Sequence, residues 1–455
     1  MDKESGANTG PRLRRSLTLW DLILYGAIVL QPVAPMSAFG ALSDRGRGHV
    51  VTAVLIAMVA VHSIATMAML CTAFSYGKMA SVYPSAGSAF TYVAQEIHSS
   101  AGYITGWSMV MDYIVNPLIC TIWCAGQAHE FAPGLPVWAW KIFFAVVFTL
   151  LNLQGIKTSA RVNAGLAAAM SAVVVVVFVT TIRYILGHPH SDPGFFTRPF
   201  YDPQTFTVDN LFGCTSLAVL TYIGFDAIST LSEEAENPKR NILLATVLSC
   251  VVIGFLSAAE VYVAQLVWPA SQPFPNPDTA YVYAAARTWA PLFSIVGFTL
   301  LVANFGSGMG AQIGAARLLY GMGRSNALPK SFFGQVDPKH HIPRNNVIFI
   351  GVIVLIGSFF LTYGRGIELL NFGALIAFMG VNASSFVHYF LKGKQRTLGN
   401  FLVPIVGFVV CGGLWWNLST SAKILGSIWM IAGILFGAWK TRWFREELSF
   451  EVPPE

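Results

Sequence analysis

The stretch Cys214–Asn241, CTSLAVLTYIGFDAISTLSEEAENPKRN, begins as an apolar run and ends in charge. Asp226, Glu233 and Glu234 stand on what reads as one membrane-crossing helix. A carboxylate in hydrocarbon costs about 3 kcal/mol on insertion scales and persists where it lines a water-filled path or meets a partner. Gly224 lies next to Asp226, and Thr215, Ser216 and Thr221 weaken the run before them, so the helix reads as interrupted at TYIGFD, with the acids facing a solvated path.

Outward from this stretch the chain stays apolar. Of 455 residues 55% are hydrophobic and 11% charged, against about 25% charged in soluble domains, which marks an integral membrane protein. Apolar runs recur from Leu19 to Trp439 with short polar gaps, leaving no room for a separate catalytic domain. Runs near the ~20 residues that cross ~30 Å of hydrocarbon can be placed about twelve times: 19–42, 50–76, 101–130, 137–155, 160–187, 208–234, 242–268, 291–322, 345–363, 367–391, 400–418 and 421–439. With the N-terminus inside, 20 of the 28 Lys and Arg residues fall on the cytoplasmic side, so both termini are expected there. The basic excess is then topological, and no nucleic-acid partner is expected. The six cysteines all lie in apolar segments without metal-ligand spacing and read as small hydrophobes. The polar segment MDKESGANTGPRLRRS reads as a cytoplasmic tail rather than a signal peptide.

A second interruption is expected in the first span, where YGAIVLQPVAPMSAFG puts Gln31, Pro32 and Pro35 mid-run. Each proline lacks an N–H and obstructs the preceding turn, which frees carbonyls. Spans one and six hold corresponding places if spans one to five and six to ten form halves of opposite orientation. Breaks at matching positions of inverted repeats point to a transporter's central site.

At these residues the chain resembles the amino acid-polyamine-organocation transporter superfamily. GFDAISTLSEEAENPKRN is similar to its sequence of Gly-Phe-acidic, Glu-Glu and Asn-Pro-Lys-Arg. SLTLWDL at 16–22, YPSAGSAFTYV at 83–93, GWSMVMDYI at 106–114, ARLLYGMGRSNALP at 316–329 and LLNFGALIAF at 369–378 extend the likeness over spans one to ten. In LRRSLTLWDL, SYGKM and AGSAFTYV the chain is most similar in character to bacterial putrescine importers. The resemblance implies an all-α fold of the leucine-transporter type: a five-plus-five inverted repeat with helices one and six broken, plus two C-terminal helices. It implies uptake driven by protons or by exchange, with no cofactor. The organisation expected is a tail at 1–18, a transport core at 19–391 with repeats at about 19–187 and 208–391, two further helices at 392–440, and a cytoplasmic tail at 441–455.

Amino-acid members of the superfamily carry a glycine-rich break in helix one, whose N–H groups receive the substrate carboxylate. Here the stretch Leu30-Gln31-Pro32-Val33-Ala34-Pro35-Met36 has no glycine and two residues without N–H. That departure favours a small cationic amine such as putrescine; an amino acid permease or an amino acid/amine exchanger is the alternative. A diamine needs acceptors at each ammonium and aromatic faces along its methylenes. The expected substrate-binding set is Gln31, Pro32, Met36, Asp112, Tyr113, Tyr222, Gly224, Phe225, Asp226 and Glu233. Asp112 has a packing reading as a helix acid satisfied by hydroxyls, and Tyr113 one as a core aromatic. Glu233 follows Asp226 by two helical turns, so both can share a face. Glu234 and Glu236 are expected at the cytoplasmic mouth, paired with Lys239 or Arg240. His62 and Glu260 read as packing, and Trp107 and Trp123 as anchors or core. Some members carry a proton-coupling lysine in span five; Met170 stands near that place, so Asp226 or Glu233 would carry the proton.

A membrane-embedded enzyme would need a nucleophile–base pair or a metal cluster, and the histidines of the loops lack such spacing. A channel would need a continuous polar ring, usually built by oligomeric symmetry. Secondary transport by a monomer or homodimer in a bacterial cytoplasmic membrane fits better, with the bilayer and a small amine or amino acid as partners and no metal.

Overall fold

The computed structural model describes residues 17–58, 68–83, 88–155, 160–188, 192–231, 235–269, 271–324, 328–338, 340, 342–393 and 395–440. Glu233, Glu234 and His62 lie outside them, as do most of the N-terminal tail and the C-terminal tail. Among the described residues the chain is helical, with one isolated bridge joining Leu17 to Ala235 in parallel.

Helix α1 (Leu19–Leu30) starts at a capping box: the Thr18 hydroxyl accepts from Asp21 N–H while the Asp21 carboxylate accepts from Thr18 N–H at 2.9 Å. It stops before Gln31 and Pro32, and α2 (Ala34–Gly46) resumes with Pro35 in its first turn. Then come α3 (Val50–Met58), α4 (Ala68–Val82), the short α5 (Ser88–Glu96), α6 (Ser99–Phe131), α7 (Val137–Leu153) and α8 (Ala160–Gly187). Helix α9 (Val208–Ala218), capped by Thr207, tightens into a 3-10 turn at Val219–Tyr222, and a second 3-10 segment follows at Phe225–Leu231. Beyond it lie α10 (Pro238–Val267), α11 (Ala280–Thr288), α12 (Leu292–Arg324), the single turn α13 (Lys330–Phe333) and α14 (Arg344–Phe360). Helix α15 (Tyr363–Phe386) loosens into a π-helical turn at Val387–Lys392, and α16 (Leu398–Trp416) and α17 (Thr420–Lys440) complete the chain.

Among the described residues seven helices, α6, α8, α10, α12, α15, α16 and α17, are long and apolar enough to cross a membrane. Helices α7 and α14 are apolar but shorter, at 17 residues each. The outer surface agrees: Val175, Val179, Ile182 and Leu186 form an exposed apolar stripe along one side of α8. In water such a stripe would be an aggregation site; in a bilayer it meets lipid. The protein is therefore a multi-pass membrane protein.

Helix α6 is the buried centre, packing most extensively on α12 and α15 and also on α5, α7 and α14. Close approach depends on small residues. A Cβ at Gly373 of α15 would lie 2.5 Å from the Ser108 carbonyl of α6, and one at Gly308 of α12 would lie 2.9 Å from Cys120 Cβ. The first-break helices and the 225–231 segment pack with α10 on the other side of the molecule.

Candidate functional site

The site is built around one face of α6. Asp112, Tyr113, Asn116, Ile119 and Cys120 recur at the three- and four-residue spacing that aligns side chains on a helix. Asp112 is nearly buried, and Tyr113 rests against Gly314 of α12, where an added Cβ would lie 3.2 Å from its ring.

Facing this helix, the chain is non-helical between α1 and α2. Gln31 takes a φ of 52°, inside the left-handed region. At the start of α2 three donors are taken or missing: Ala34 donates to the Gln31 carbonyl at 3.0 Å, Pro35 has no N–H, and Met36 donates to the Val33 carbonyl at 3.2 Å. An α-helix ordinarily offers its first N–H groups to an anion. Here three of those donors are engaged or missing. The Gln31 amide instead donates to the Ala303 carbonyl of α12 at 3.2 Å.

Between the two 3-10 segments of the other interrupted stretch, Gly224 takes a φ of 118°, which a side-chain-bearing residue rarely adopts. That turn delivers Phe225 and Asp226 to an aromatic box. Tyr76 of α4 meets Phe225 edge-on at 5.5 Å, Phe378 of α15 at 5.9 Å and Tyr92 of α5 at 6.2 Å. Asp226 and Asp112 act electrostatically on each other and on Tyr76 and Tyr113, and Asp226 also on Tyr92. The hydroxyl of Tyr76, in the middle of the box, is buried without a hydrogen-bond partner.

One turn along α6 from Asp112, a cavity of about 70 Å³ opens between the broken segments, α6, α12 and the start of α15. Gln31, Ser37, Asn116, Asn304, Ser307 and Tyr363 supply its polar lining, and no charged side chain is among the residues that line it. Asn304 donates to the Ser37 hydroxyl at 2.9 Å, and Ser307 reaches Asn116 Oδ1 at 3.5 Å, so α2, α6 and α12 are laced by neutral groups. The arrangement puts a neutral amide–hydroxyl chamber beside an acid–tyrosine cluster.

Of the residues expected from sequence, Phe225 stands in the aromatic box, Asp112, Tyr113 and Asp226 lie within electrostatic reach of one another, Gly224 makes the turn that leads there, and Gln31 lines the cavity. Pro32 and Met36 are buried at the break but do not line the cavity. The Tyr222 hydroxyl donates to the Val54 carbonyl at 2.9 Å, holding the 3-10 turn against α3. Glu233 falls outside the described residues. One expectation is corrected: Glu236 makes no ion pair with Lys239 or Arg240. Its N–H bonds the Leu17 carbonyl at 2.8 Å and its own carbonyl accepts from Asn241, because the turn that caps α10 points the chain toward the start of α1. Met170 is buried in α8, Trp123 is fully enclosed, and Trp107 stacks on Trp429.

Sequence reasoning missed Ser37, Tyr76, Tyr92, Asn116, Asn304, Ser307 and Tyr363. Asn116 carried a signal, one turn from Asp112 on the same face, and Asn304 and Ser307 are polar interruptions of an apolar helix. Tyr363 carried none.

Residues 47–444 match the amino acid permease family. The chain is 33% identical over 445 residues, 95% of each chain, to the low-affinity putrescine importer PlaP of Escherichia coli strain K12. It is 26% identical to the branched-chain amino acid permease BcaP of Bacillus subtilis strain 168, covering 93% of this chain and 92% of that one. It is 25% identical to cationic amino acid transporter 6, chloroplastic, of Arabidopsis thaliana, covering 86% of this chain and 68% of that one. A match of this extent, on a multi-pass chain, makes this protein a transporter rather than an enzyme and a member of the amino acid permease family.

Proposed function

We propose that this protein imports a small cationic amine, putrescine or a close analogue, across a bacterial cytoplasmic membrane by proton-coupled alternating access. The observation that carries the reading is the N–H accounting at the start of α2. Ala34 and Met36 are engaged and Pro35 has no donor, so the start of α2 lacks three of the N–H groups that a carboxylate nest draws on. Two acids, Asp112 and Asp226, instead stand with tyrosine hydroxyls and rings. Carboxylates pair an ammonium, and rings cover the methylenes or face the cation. Asp112 and the Asn116 amide, about 6 Å apart in rise, offer separated acceptors for the two ends of a diamine. The similarity to a putrescine importer supports the same substrate class.

In this reading the chain has twelve spans with both termini inside, and the break segments belong to the first and sixth. Element lengths support two repeats of opposite orientation: α5 and α11 have 9 residues each, α6 and α12 have 33 each, and α7 and α14 have 17 each. Helices α16 and α17 are the two additional ones. With Met170 where other members have a lysine, a carboxyl of the sixth span, Asp226 or Glu233, takes a proton outside and releases it inside.

The test is competition. Putrescine and related amines should raise the melting temperature of the detergent-solubilised protein and drive counterflow in proteoliposomes, and Asp112→Asn should weaken their binding by about 10-fold or more, the size of one charge-assisted hydrogen bond. The neutral amide–hydroxyl cavity favours a second reading, an amino acid permease or an amino acid/amine exchanger. Stabilisation by zwitterionic amino acids with none by diamines would establish that reading in place of the first.

A further inference from the structure

Away from both the cavity and the acid–tyrosine cluster, Glu260 of α10 is fully enclosed, and neither carboxyl oxygen has a hydrogen-bond partner. The Ser257 hydroxyl, one turn earlier on the same helix, and the Gln265 side-chain oxygen further along are buried without partners as well. Helix α11 lies against this stretch. The Tyr281 hydroxyl donates to the Glu260 carbonyl at 3.3 Å, and the Tyr281 ring meets Phe39 of α2 edge-on at 5.6 Å. Helix α2 in turn closes tightly on the segment before α11, for a Cβ at Gly40 would collide with the Pro277 carbonyl. Glu260 therefore sits under the seam where α2 and α11 close over the outer half of α10.

Tyr281 is the titratable group that faces it. On the other elements packed against α10, Asp21 of α1 bonds Thr18, Lys78 of α4 donates to Asn400, and Tyr25 of α1 and Tyr76 of α4 interact with the acid–tyrosine cluster. Arg45 of α2 pairs with Asp209 and, with Asp44, belongs to that helix's outer end. Tyr222 bonds Val54, and Asp226 joins the acid–tyrosine cluster. On α11, Tyr283 bonds Glu130 and Arg287 reaches Gln272. On α8, Tyr184 stacks on His188 near the outer end, with Arg183 beside it. His62 lies outside the described residues. Among the described residues no cation pairs with Glu260, and a carboxylate stripped of water and of partners is the costliest form of the group.

We propose that Glu260 is a further proton-binding site of the transport cycle: it takes a proton from the outer solution when α2 and α11 part, its neutral form lets them close over it, and it returns the proton to the outer solution when they part again, so that it sets how closure depends on outer pH while another group carries the proton across. The step is a simple transfer: a carboxylate oxygen takes a proton from hydronium, leaving water, and the neutral carboxyl can then be enclosed. Proton binding and closure favour each other, and by linkage each promotes the other equally. The inference rests on the proton-coupled reading above and assigns a second group to it, on another helix and near the other side of the membrane.

The experiment compares wild type with Glu260→Gln, which keeps the shape of the neutral acid but cannot release a proton. In proteoliposomes, amine counterflow at acidic pH should stay within about twofold of wild type, while the fall in uptake rate as outer pH is raised, about tenfold or more in wild type, should be lost in Glu260→Gln. A dependence of uptake rate on outer pH that is the same in Glu260→Gln as in wild type overturns the inference. A wild type that never responds to the pH gradient overturns the proton-coupled reading itself. Infrared spectra of the purified proteins give a readout independent of transport: the protonated-carboxyl stretch at neutral pH should be stronger in wild type than in Glu260→Gln, and identical spectra overturn the assignment. Should the glutamine variant fail to fold, Tyr281→Phe decides. It loosens the cover over Glu260 and should move the pH midpoint of uptake downward, and an unmoved midpoint overturns the proposal.

Discussion

Glu96, at the end of α5, holds three elements together. Its carboxyl accepts from the Tyr83 hydroxyl at 2.6 Å, lies 2.5 Å from His388 Nδ1, and meets the Lys392 ammonium at 3.3 Å. Burial alone would raise this carboxyl, but the bonds from Tyr83, His388 and Lys392 outweigh it and hold the group below its ordinary 4.5. A folded-state value below the unfolded one contributes stability that is full above the unfolded value and is lost as pH falls through the folded one. The melting temperature of wild type should therefore exceed that of Glu96→Gln by a margin that is constant near neutrality and shrinks below about pH 4.5. At neutral pH the substitution should cost about 2 kcal/mol, the worth of hydrogen bonds to a charged group. A margin that grows on acidification would refute the assignment. Tyr113 is tested by a pair of changes: Tyr113→Phe removes the hydroxyl and Tyr113→Leu the ring. A substrate contact should lose about 0.5–2 kcal/mol of amine affinity with thermal stability kept, whereas a packing residue should do the reverse. Asp112 and Asp226 were legible in the sequence because charge in an apolar run is rare. Glu96 was not, since an acid near a helix end reads as solvated, and its partners lie 13 and 292 residues away. Asn304 and Ser37, 267 residues apart, met for a reason no local pattern carries: the relative rotation of α2 and α12.

Helix ends are decided by caps as much as by apolar content. The span expected at 367–391 begins as α15 at Tyr363, because the Thr362 hydroxyl accepts from Arg365 N–H and starts the helix before its first aliphatic residue. Thr397 does the same for α16. The long helices were legible from length and hydropathy. The 9-residue α5 and α11 were not, since both are too short to register as spans and take their place from packing on α6 and α12. The docking of α17 is likewise a tertiary event. Trp107 of α6 donates to the Trp429 carbonyl at 2.8 Å, Trp429 returns a bond to the Trp107 carbonyl at 3.1 Å, and the rings stack at 4.8 Å. Trp429→Phe keeps a ring and removes one bond, so it should cost about 1 kcal/mol. Trp429→Ala should cost about 3 kcal/mol or more. Because α17 contributes nothing to the cavity or the acid–tyrosine cluster, amine affinity in folded protein should not change in either variant. A loss of affinity without loss of stability would tie α17 to the site.

At the scale of the molecule, the alternating access proposed above requires that some contacts between packed elements break in each cycle while others travel together, and two contacts serve to test which are which. The bridge between Leu17 and Ala235 joins the start of α1 to the chain just beyond the 225–231 segment, and both elements pack on α10. The hydroxyls of Ser88 and Ser229, 3.0 Å apart, instead join that segment to α5, which packs on α6 and α15. Under a cycle in which the broken helices rock against the α6 core, the first contact moves as a unit and the second must open. A Leu17→Cys/Ala235→Cys pair, once oxidised, should therefore leave amine counterflow within about twofold of the reduced protein, whereas an oxidised Ser88→Cys/Ser229→Cys pair should reduce it by about tenfold or more, reversibly on adding reductant. Ser88, Ser229 and Ala235 are as buried as the six native cysteines, so both pairs are built in a background with the native cysteines replaced, and mass spectrometry of the oxidised protein reports whether each cross-link has formed. Arrest by the first pair and not by the second would mean that α1 and the 225–231 segment part from one another during transport, and the moving unit would have to be drawn elsewhere.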